Sequence, residues 1–203
     1  LSLTTLEKGG ILVGETGRRF GNEDLGYSGF AAHVLDQGEF AWAIYDARIH
    51  DIAKAEEEYA EMAAMGAVSW AETLAVLAAK VGLDADGLTE TIAAYNRAAQ
   101  DDGTDEFGRK AFALAPLQPP FAAVRVKPGL FHTQGGVLVD NEARVRRSTG
   151  GTVPNLFAGG GAAAGISGRD GALGYASGNG LITALVLGRR AGLTAMKEIA
   201  AEP

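Results

Sequence analysis

The sequence predicts an α+β protein in two parts: a mostly helical part over residues 1–118 and a strand-plus-helix part over residues 119–203. Three observations carry this. Apolar residues recur at helical spacing between residues 52 and 100. Beyond a polar, proline-interrupted stretch, short apolar runs joined by turns take over, and these read as strands. Glycine, at 29 of 203 residues, is also crowded into one place, with nine glycines among the 22 residues 159–180. Apolar residues flank that crowd, so it marks a backbone that must approach something closely and not a flexible linker.

In chain order, residues 10–13 read as a short strand, Gly14-Glu15-Thr16-Gly17 as a turn, and residues 40–45 as a second strand. Three helical patterns follow. The first sets Ile52, Tyr59, Met62 and Gly66 on one face and Glu56, Glu57, Glu58 and Glu61 on the other. The second is read as opening at Ser69 with Glu72 three residues on, a capping box, with Trp70, Leu74, Leu77 and Val81 as its stripe. The third covers residues 87–100 with Leu88, Ile92 and Tyr95 inward. Ordinary core packing explains all three stripes. The Asp-Asp-Gly-Thr-Asp loop at 101–105 and Pro116, Pro119 and Pro120 then interrupt regular structure. Short strands are expected at 121–127, 137–140 and 143–147, and a buried strand at 156–158. A long helix over about 180–199, apolar nearly all round at its start, is expected to be deeply buried.

Composition narrows the function. With 18 Lys+Arg against 25 Asp+Glu the net charge is −7, which disfavours nucleic acid and anionic membrane surfaces as partners. Cysteine is absent, which removes disulfides, zinc–thiolate sites, iron–sulfur clusters and cysteine nucleophiles together; no metal site is expected. The longest apolar run, 181–187, is far short of the ~20 residues a bilayer needs. The chain begins Leu-Ser-Leu-Thr without Met. A cytoplasmic location is expected.

Four stretches could carry chemistry. Gly159-Gly160-Gly161-Ala162-Ala163-Ala164 follows a strand and formally contains G-x-G-x-x-A. The dinucleotide reading of that pattern needs a helix to open at once, and Gly165, Gly168, Gly171 and Gly174 break any helix there. A loop lying flat against a planar or phosphate-bearing ligand fits better. Ser177-Gly178-Asn179-Gly180-Leu181 enters the last helix, where free N–H groups and the helix dipole favour an anion; ordinary N-capping by Ser177 or Asn179 is the other reading. Phe131-His132-Thr133-Gln134-Gly135-Gly136 sets a His beside a Gly-Gly that permits close approach, although a lone His is more often structural. In the stretch from Gly17 to Tyr27 the charged residues read as a surface salt-bridge cluster, worth little.

Taken together, these pieces resemble the flavoprotein family that includes soluble fumarate reductases, tricarballylate dehydrogenase and 3-ketosteroid dehydrogenases. The motifs run in order: Gly-Ile-Leu-Val then Gly-Arg-Arg-Phe-x-Asn-Glu within 10–23, Tyr95-Asn96, and Asp105-x-Phe107-Gly108-Arg109. His132-Thr133-x-Gly135-Gly136, Asn155-Leu156-Phe157-Ala158-Gly159-Gly160 and Gly178-Asn179-Gly180-Leu181 complete the series. The resemblance implies FAD as cofactor. It also implies that residues 1–118 are most of a capping (substrate) domain, incomplete at its N-terminus, and that residues 119–203 are the C-terminal segment of the FAD-binding α/β domain. The family's first βαβ unit would lie upstream, so the chain is expected to be a C-terminal fragment that holds FAD poorly alone and lacks activity by itself. Its expected partners are a small-molecule substrate and the missing N-terminal FAD-binding half, with self-association through exposed sheet edges.

The same resemblance assigns roles. Gly160, Gly161, Asn179, Gly180, Leu181 and Ile182 fall where the cofactor is bound; Gly161 stands where many relatives carry a Glu. His132 is placed like the substrate-binding His of fumarate reductases. The two arginines those enzymes use correspond to Tyr27 and Tyr175 here, and a phenol has one donor and no charge with which to clamp a carboxylate. Tyrosine at both places is similar to the ketosteroid dehydrogenases, where one Tyr abstracts a proton and another polarises a ketone; Tyr175 also fits tricarballylate dehydrogenase. The implied catalytic set is Tyr27, Tyr175 and His132, with Ser177 and Arg169 on the substrate. The implied reaction is hydride transfer between FAD and a CH–CH bond next to a carbonyl or carboxylate. The alternatives are a fumarate/succinate-type dicarboxylate oxidoreductase and a non-catalytic subunit that pairs with a separate nucleotide-binding half.

Overall fold

The computed structural model describes residues 3–101, 103–129, 133–167 and 178–201. The chain divides into two units, Leu1–Pro128 and Gly129–Pro203. Tyr175, His132, Arg169 and Ser177 lie outside the described residues, and of Tyr27 only the backbone is described. The α+β class holds.

The first unit is built on α1 (Leu3–Glu7), β1 (Ile11–Val13), α2 (Gly26–Leu35), β2 (Ala41–Asp46), α3 (Ala47–Ala53), α4 (Glu57–Ala64), β3 (Ser69–Ala71), α5 (Leu74–Val81), α6 (Ala85–Gln100) and β4 (Phe121–Val126). The four strands form one sheet in the order β1-β2-β4-β3, every neighbour antiparallel. β2 and β4 are central, and large side chains alternate with alanine across them: Ile44 lies opposite Ala123 and Tyr45 opposite Ala122. This pairing lets helices sit close to the sheet. Ile11, Val13, Ile44, Leu77, Leu88, Ile92 and Tyr95 are buried in the resulting core. The Leu88, Ile92, Tyr95 stripe is the one the sequence predicts, now on α6 under an Asp84 cap. The 14–17 turn rests on the start of that helix, and Gly17, at φ +69°, has no room for a Cβ, which would sit 2.4 Å from the Leu88 nitrogen.

Several expectations change. The capping box at Ser69 does not form: Ser69, Trp70 and Ala71 pair with β4 as an edge strand, and α5 starts at Leu74 under Thr73, whose Oγ1 accepts from the Val76 N–H. A free row of hydrogen bonds on β4 outweighs the local helix signal. The first helical pattern divides into α3 and α4. The strand expected at 121–127 belongs to the sheet of the first unit, and the division falls at Pro128. α2 gives no clear stripe in the sequence because Gly26 and Gly29 interrupt it; the Phe20–Phe30 stack at 5.3 Å and buried Val34 hold it instead. Each border strand has one peptide group engaged by a side chain. The outward Leu12 N–H of β1 donates to Glu23 Oε1 at 3.0 Å. On β3, Lys80 Nζ donates to the Trp70 carbonyl at 3.0 Å.

The second unit comprises a hairpin of β5 (Arg144–Arg146) and β6 (Thr152–Phe157), a short 3-10 turn at Gly160–Ala162, and the long helix α7 (Asn179–Ala201). Residues 137 and 139 make isolated bridges, to Ala163 and Val145, in place of a full strand. The strand near 156–158 is not buried: Leu156 is exposed. Nor is α7 deeply buried. Leu181 is 73% and Leu185 74% exposed, and Ile182, Met196 and Ile199 are exposed too. Only Thr194 is buried among its described side chains. The apolar surface predicted to be interior is present, but the described residues of this unit supply nothing to cover it.

Candidate functional site

The first candidate region is the root of α2, the helix that carries Tyr27. Glu23 opens a 3-10 turn, Glu23–Leu25, that runs straight into α2; Asn22 caps the turn and the Gly26 N–H returns to the Glu23 carbonyl. The Glu23 carboxylate is buried and accepts four hydrogen bonds. Leu12 N and Arg19 Nε reach Oε1 at 3.0 Å each, and Arg19 Nη2 and Arg109 Nη1 reach Oε2 at 2.6 and 3.2 Å. Arg19 also pairs with Asp105, and Asp105 accepts the backbone N–H groups of Phe107 and Arg109. The fully buried Arg109 spends its remaining donors on the carbonyls of Leu6, Gly10 and Ala111. Both guanidiniums lie over the Tyr95 ring, at 5.2 and 5.3 Å from its centre, and the Tyr95 hydroxyl donates to the Gly9 carbonyl at 3.0 Å.

The two guanidiniums thus pair with the Glu23 and Asp105 carboxylates out of water, and the more exposed Asp24 lies 3.5 Å from Arg109 Nε at the edge of the cluster. Burial works against the charge on Arg19, and Glu23 and Asp105 more than offset it, raising its pKa. Burial likewise opposes ionisation of Asp105, but Arg19 and the two backbone donors hold its pKa below the usual carboxylate value. The Tyr95 phenol is pushed up by burial and stays protonated. The surface salt-bridge reading of this stretch is therefore corrected: Arg19 and Glu23 are buried, while Arg18, paired with Glu90, and Asp24, paired with Arg109, keep an exposed side. Sequence reasoning missed the four-membered cluster. The available signal was a pair of opposite charges four residues apart, twice over, at Arg19/Glu23 and Asp105/Arg109.

The second region is the junction in the second unit. Val137 N donates to the Ala162 carbonyl and Ala164 N to the Val137 carbonyl, each at 2.9 Å, and Gly165 N donates to the Gln134 carbonyl at 2.9 Å. Gly136 is required there, because a Cβ would sit 2.4 Å from the Ala163 carbonyl carbon. Asn179 Nδ2 donates to the buried Ser167 Oγ at 3.1 Å, which joins the start of α7 to the end of the 133–167 segment. The glycines divide by use. Gly159 and Gly160 lie against α7, where a Cβ would meet Leu187 and Ala184. Gly161 and Gly180 would each meet no atom within 4 Å.

Comparison with known proteins decides the family. Residues 4–176 match the FAD binding domain family. The chain belongs to this family. As an FAD-binding family member it is 32% identical over 190 residues to "Fumarate reductase (cytochrome)" of Shewanella frigidimarina, covering 93% of this chain and 32% of that protein. It is 28% identical to the 3-oxosteroid 1-dehydrogenase of Mycobacterium tuberculosis, covering 91% of this chain and 39% of that one. The crystal structure of 3-ketosteroid delta1-dehydrogenase from Sterolibacterium denitrificans superposes with a TM-score of 0.71 at 26% identity, over 92% of this chain and 38% of that one. The chain therefore spans about a third of the length of these relatives, which are named as a reductase and dehydrogenases. Among the described residues no group of His, Asp and Glu could hold a metal ion, and no helix is long and apolar enough to cross a membrane.

Proposed function

We propose that this chain is the capping and C-terminal part of an FAD-dependent oxidoreductase acting on a CH–CH bond beside a carbonyl or carboxylate. In this reading the first unit is most of the capping domain and the second returns to the FAD-binding domain. The observation that carries the reading is the junction of the second unit. The Gly165 N–H donates to the carbonyl of Gln134, two residues beyond His132, and Asn179 donates to Ser167, the two residues standing on either side in sequence of the stretch that contains Arg169, Tyr175 and Ser177. Tyr27 comes from the rigidly held root of α2, on the other unit.

The open backbone at Gly161 and Gly180 and the exposed Leu181 and Ile182 suit a flat, partly apolar ring. Gly160, Gly161, Asn179, Gly180, Leu181 and Ile182 are the residues that would hold it, with Gly160 also in packing distance of Ala184 on α7. Bound FAD would supply the hydride acceptor or donor. The chain's own residues do the rest. Tyr27 moves the proton through its phenolic oxygen. Tyr175 and His132 hold the substrate carbonyl by hydrogen bonds, and Ser177 and Arg169 contact the remainder. A phenol pKa near 10 matches the stabilisation of an enolate and must be lowered for Tyr27 to act as a base at neutral pH.

The test is Tyr27→Phe in the full-length enzyme, assayed with a 3-ketosteroid, tricarballylate and fumarate. Turnover is expected to fall at least about 100-fold on the best of these. Turnover within a few-fold of wild type, with flavin still bound, overturns the role of Tyr27. A dicarboxylate preference would favour the fumarate-type alternative. The uncovered apolar face of α7 supports a missing FAD-binding half that covers it, whether upstream in the same chain or on a separate subunit. Stoichiometric FAD bound by the 203 residues alone would overturn that part.

A further inference from the structure

Away from the candidate site, three aromatic side chains of the first unit form a single line of hydrogen bonds. Tyr45 Oη of β2 and Tyr59 Oη of α4 are 2.7 Å apart, and Tyr59 Oη is 2.7 Å from His50 Nδ1 of α3. Tyr45 and Tyr59 are buried. Trp70 of β3 stands edge-on to the His50 ring at 4.9 Å and to Tyr45 at 6.5 Å. The charged groups felt at the ring are Lys54 and Asp51 of its own helix. The titratable groups facing it from other elements are Tyr59 and, behind it, Tyr45; Lys80 of α5 reaches the Trp70 carbonyl.

The chemistry of these groups permits one direction. Tyr45 Oη has Tyr59 as its only partner among the described residues, so its hydrogen must be donated to Tyr59. Tyr59 must then pass its own hydrogen to His50 Nδ1, which therefore carries a lone pair, with the ring proton on Nε2. The line Tyr45→Tyr59→His50 satisfies all three groups. When Nδ1 takes a proton from solvent it becomes a donor, and a buried hydroxyl hydrogen is left without an acceptor.

We propose that this line is a pH-sensitive latch: with His50 neutral it ties α3 and α4 to the central strand β2, and protonation of Nδ1 releases that corner. Burial of the ring, followed by Lys54, with Asp51 opposing, already holds the His50 pKa below its ordinary 6.5. The sign follows. A depressed folded pKa means that the unfolded chain binds the proton more readily, so the stabilisation is complete above about 6.5 and is lost as pH falls through the folded value.

The experiment uses the 203-residue chain and Tyr45→Phe/Tyr59→Phe, a double variant that removes both hydroxyls and leaves neither orphaned. The His50 midpoint is read by NMR titration of the imidazole, and Tm is followed from about pH 7.5 to about pH 5. The wild-type midpoint is expected below 6.5, and in the double variant it should move up towards that value, with a shallower fall in Tm. If the double variant titrates at the wild-type midpoint, burial and Lys54 alone set it and the latch is overturned. If the variant does not fold, wild-type fluorescence decides in a Trp42→Phe background. Trp70 emission should be quenched as the adjacent imidazole protonates, with a midpoint below 6.5, within the pH range over which Tm is being lost. Quenching without any accompanying loss of Tm refutes the latch.

Discussion

Replacing Glu23 by Gln keeps the shape of the side chain and removes its charge. The amide nitrogen then faces the Arg19 or Arg109 donors, and the two buried guanidiniums lose the carboxylate they share, keeping only Asp105 on Arg19 and the more exposed Asp24 on Arg109. Breaking a buried ion pair on one side costs about 3–5 kcal/mol. The first unit runs from Leu1 to Pro128. An unfolding entropy of about 2.1 cal/mol/K per residue gives it roughly 0.27 kcal/mol per degree at the midpoint. The Tm of Glu23→Gln should therefore fall by about 10–20 °C, read by far-ultraviolet circular dichroism of the chain at neutral pH. Glu90→Gln is the control: its partner Arg18 and Glu90 itself have side chains 55% and 64% exposed, and its Tm should stay within about 3 °C of wild type. Equal shifts for the two variants would refute the claim that a desolvated cluster anchors the root of α2.

Other outcomes follow from the same geometry. Asp105 has a folded pKa below its ordinary 3.8, so its stabilisation is full above that value and disappears as pH falls through the folded one. Asp105→Asn should lower Tm at neutral pH and make acid unfolding shallower below about pH 4 in a pH–Tm series; an unchanged slope refutes the assignment. Gly136→Ala drives a Cβ into the Ala163 carbonyl, whereas Gly161→Ala meets open space. Amide exchange at Val137, Ala164 and Gly165 should accelerate in the first variant and stay at the wild-type rate in the second. The exposed apolar face of α7 should make the chain self-associate, and Leu181→Glu/Leu185→Glu should shift its light-scattering mass towards monomer. No change in mass would place the contact elsewhere, and the side chains engaged on the border strands of the sheet make edge pairing the weaker expectation.

The legibility of the chain follows a physical division. α6 was readable because Leu88, Ile92 and Tyr95 pack at helical spacing under a local cap, so the information is contained in sixteen consecutive residues. Ser69–Ala71 was not, because its strand character depends on β4, some fifty residues further on, and the local Ser-Trp-Ala-Glu pattern imitates a helix start. The Arg19–Glu23–Asp105–Arg109 cluster was hidden for the same reason: burial is a property of what folds over a residue, and charged residues are exposed by default. α7 was read correctly as an apolar helix, but its face is exposed in this chain, since hydrophobicity reports a demand for cover without saying which polypeptide provides it. At the junction, the motif around His132 and Gly135-Gly136 marked the correct place. That Gly159 and Gly160 serve helix contact while Gly161 stays open required coordinates.

Each border strand of the four-stranded sheet has one peptide group engaged by a charged side chain of its own unit: Glu23 takes the Leu12 amide and Lys80 the Trp70 carbonyl. Each such contact removes a group that could otherwise template a foreign strand, so a charge change at either side chain acts on association as well as on stability.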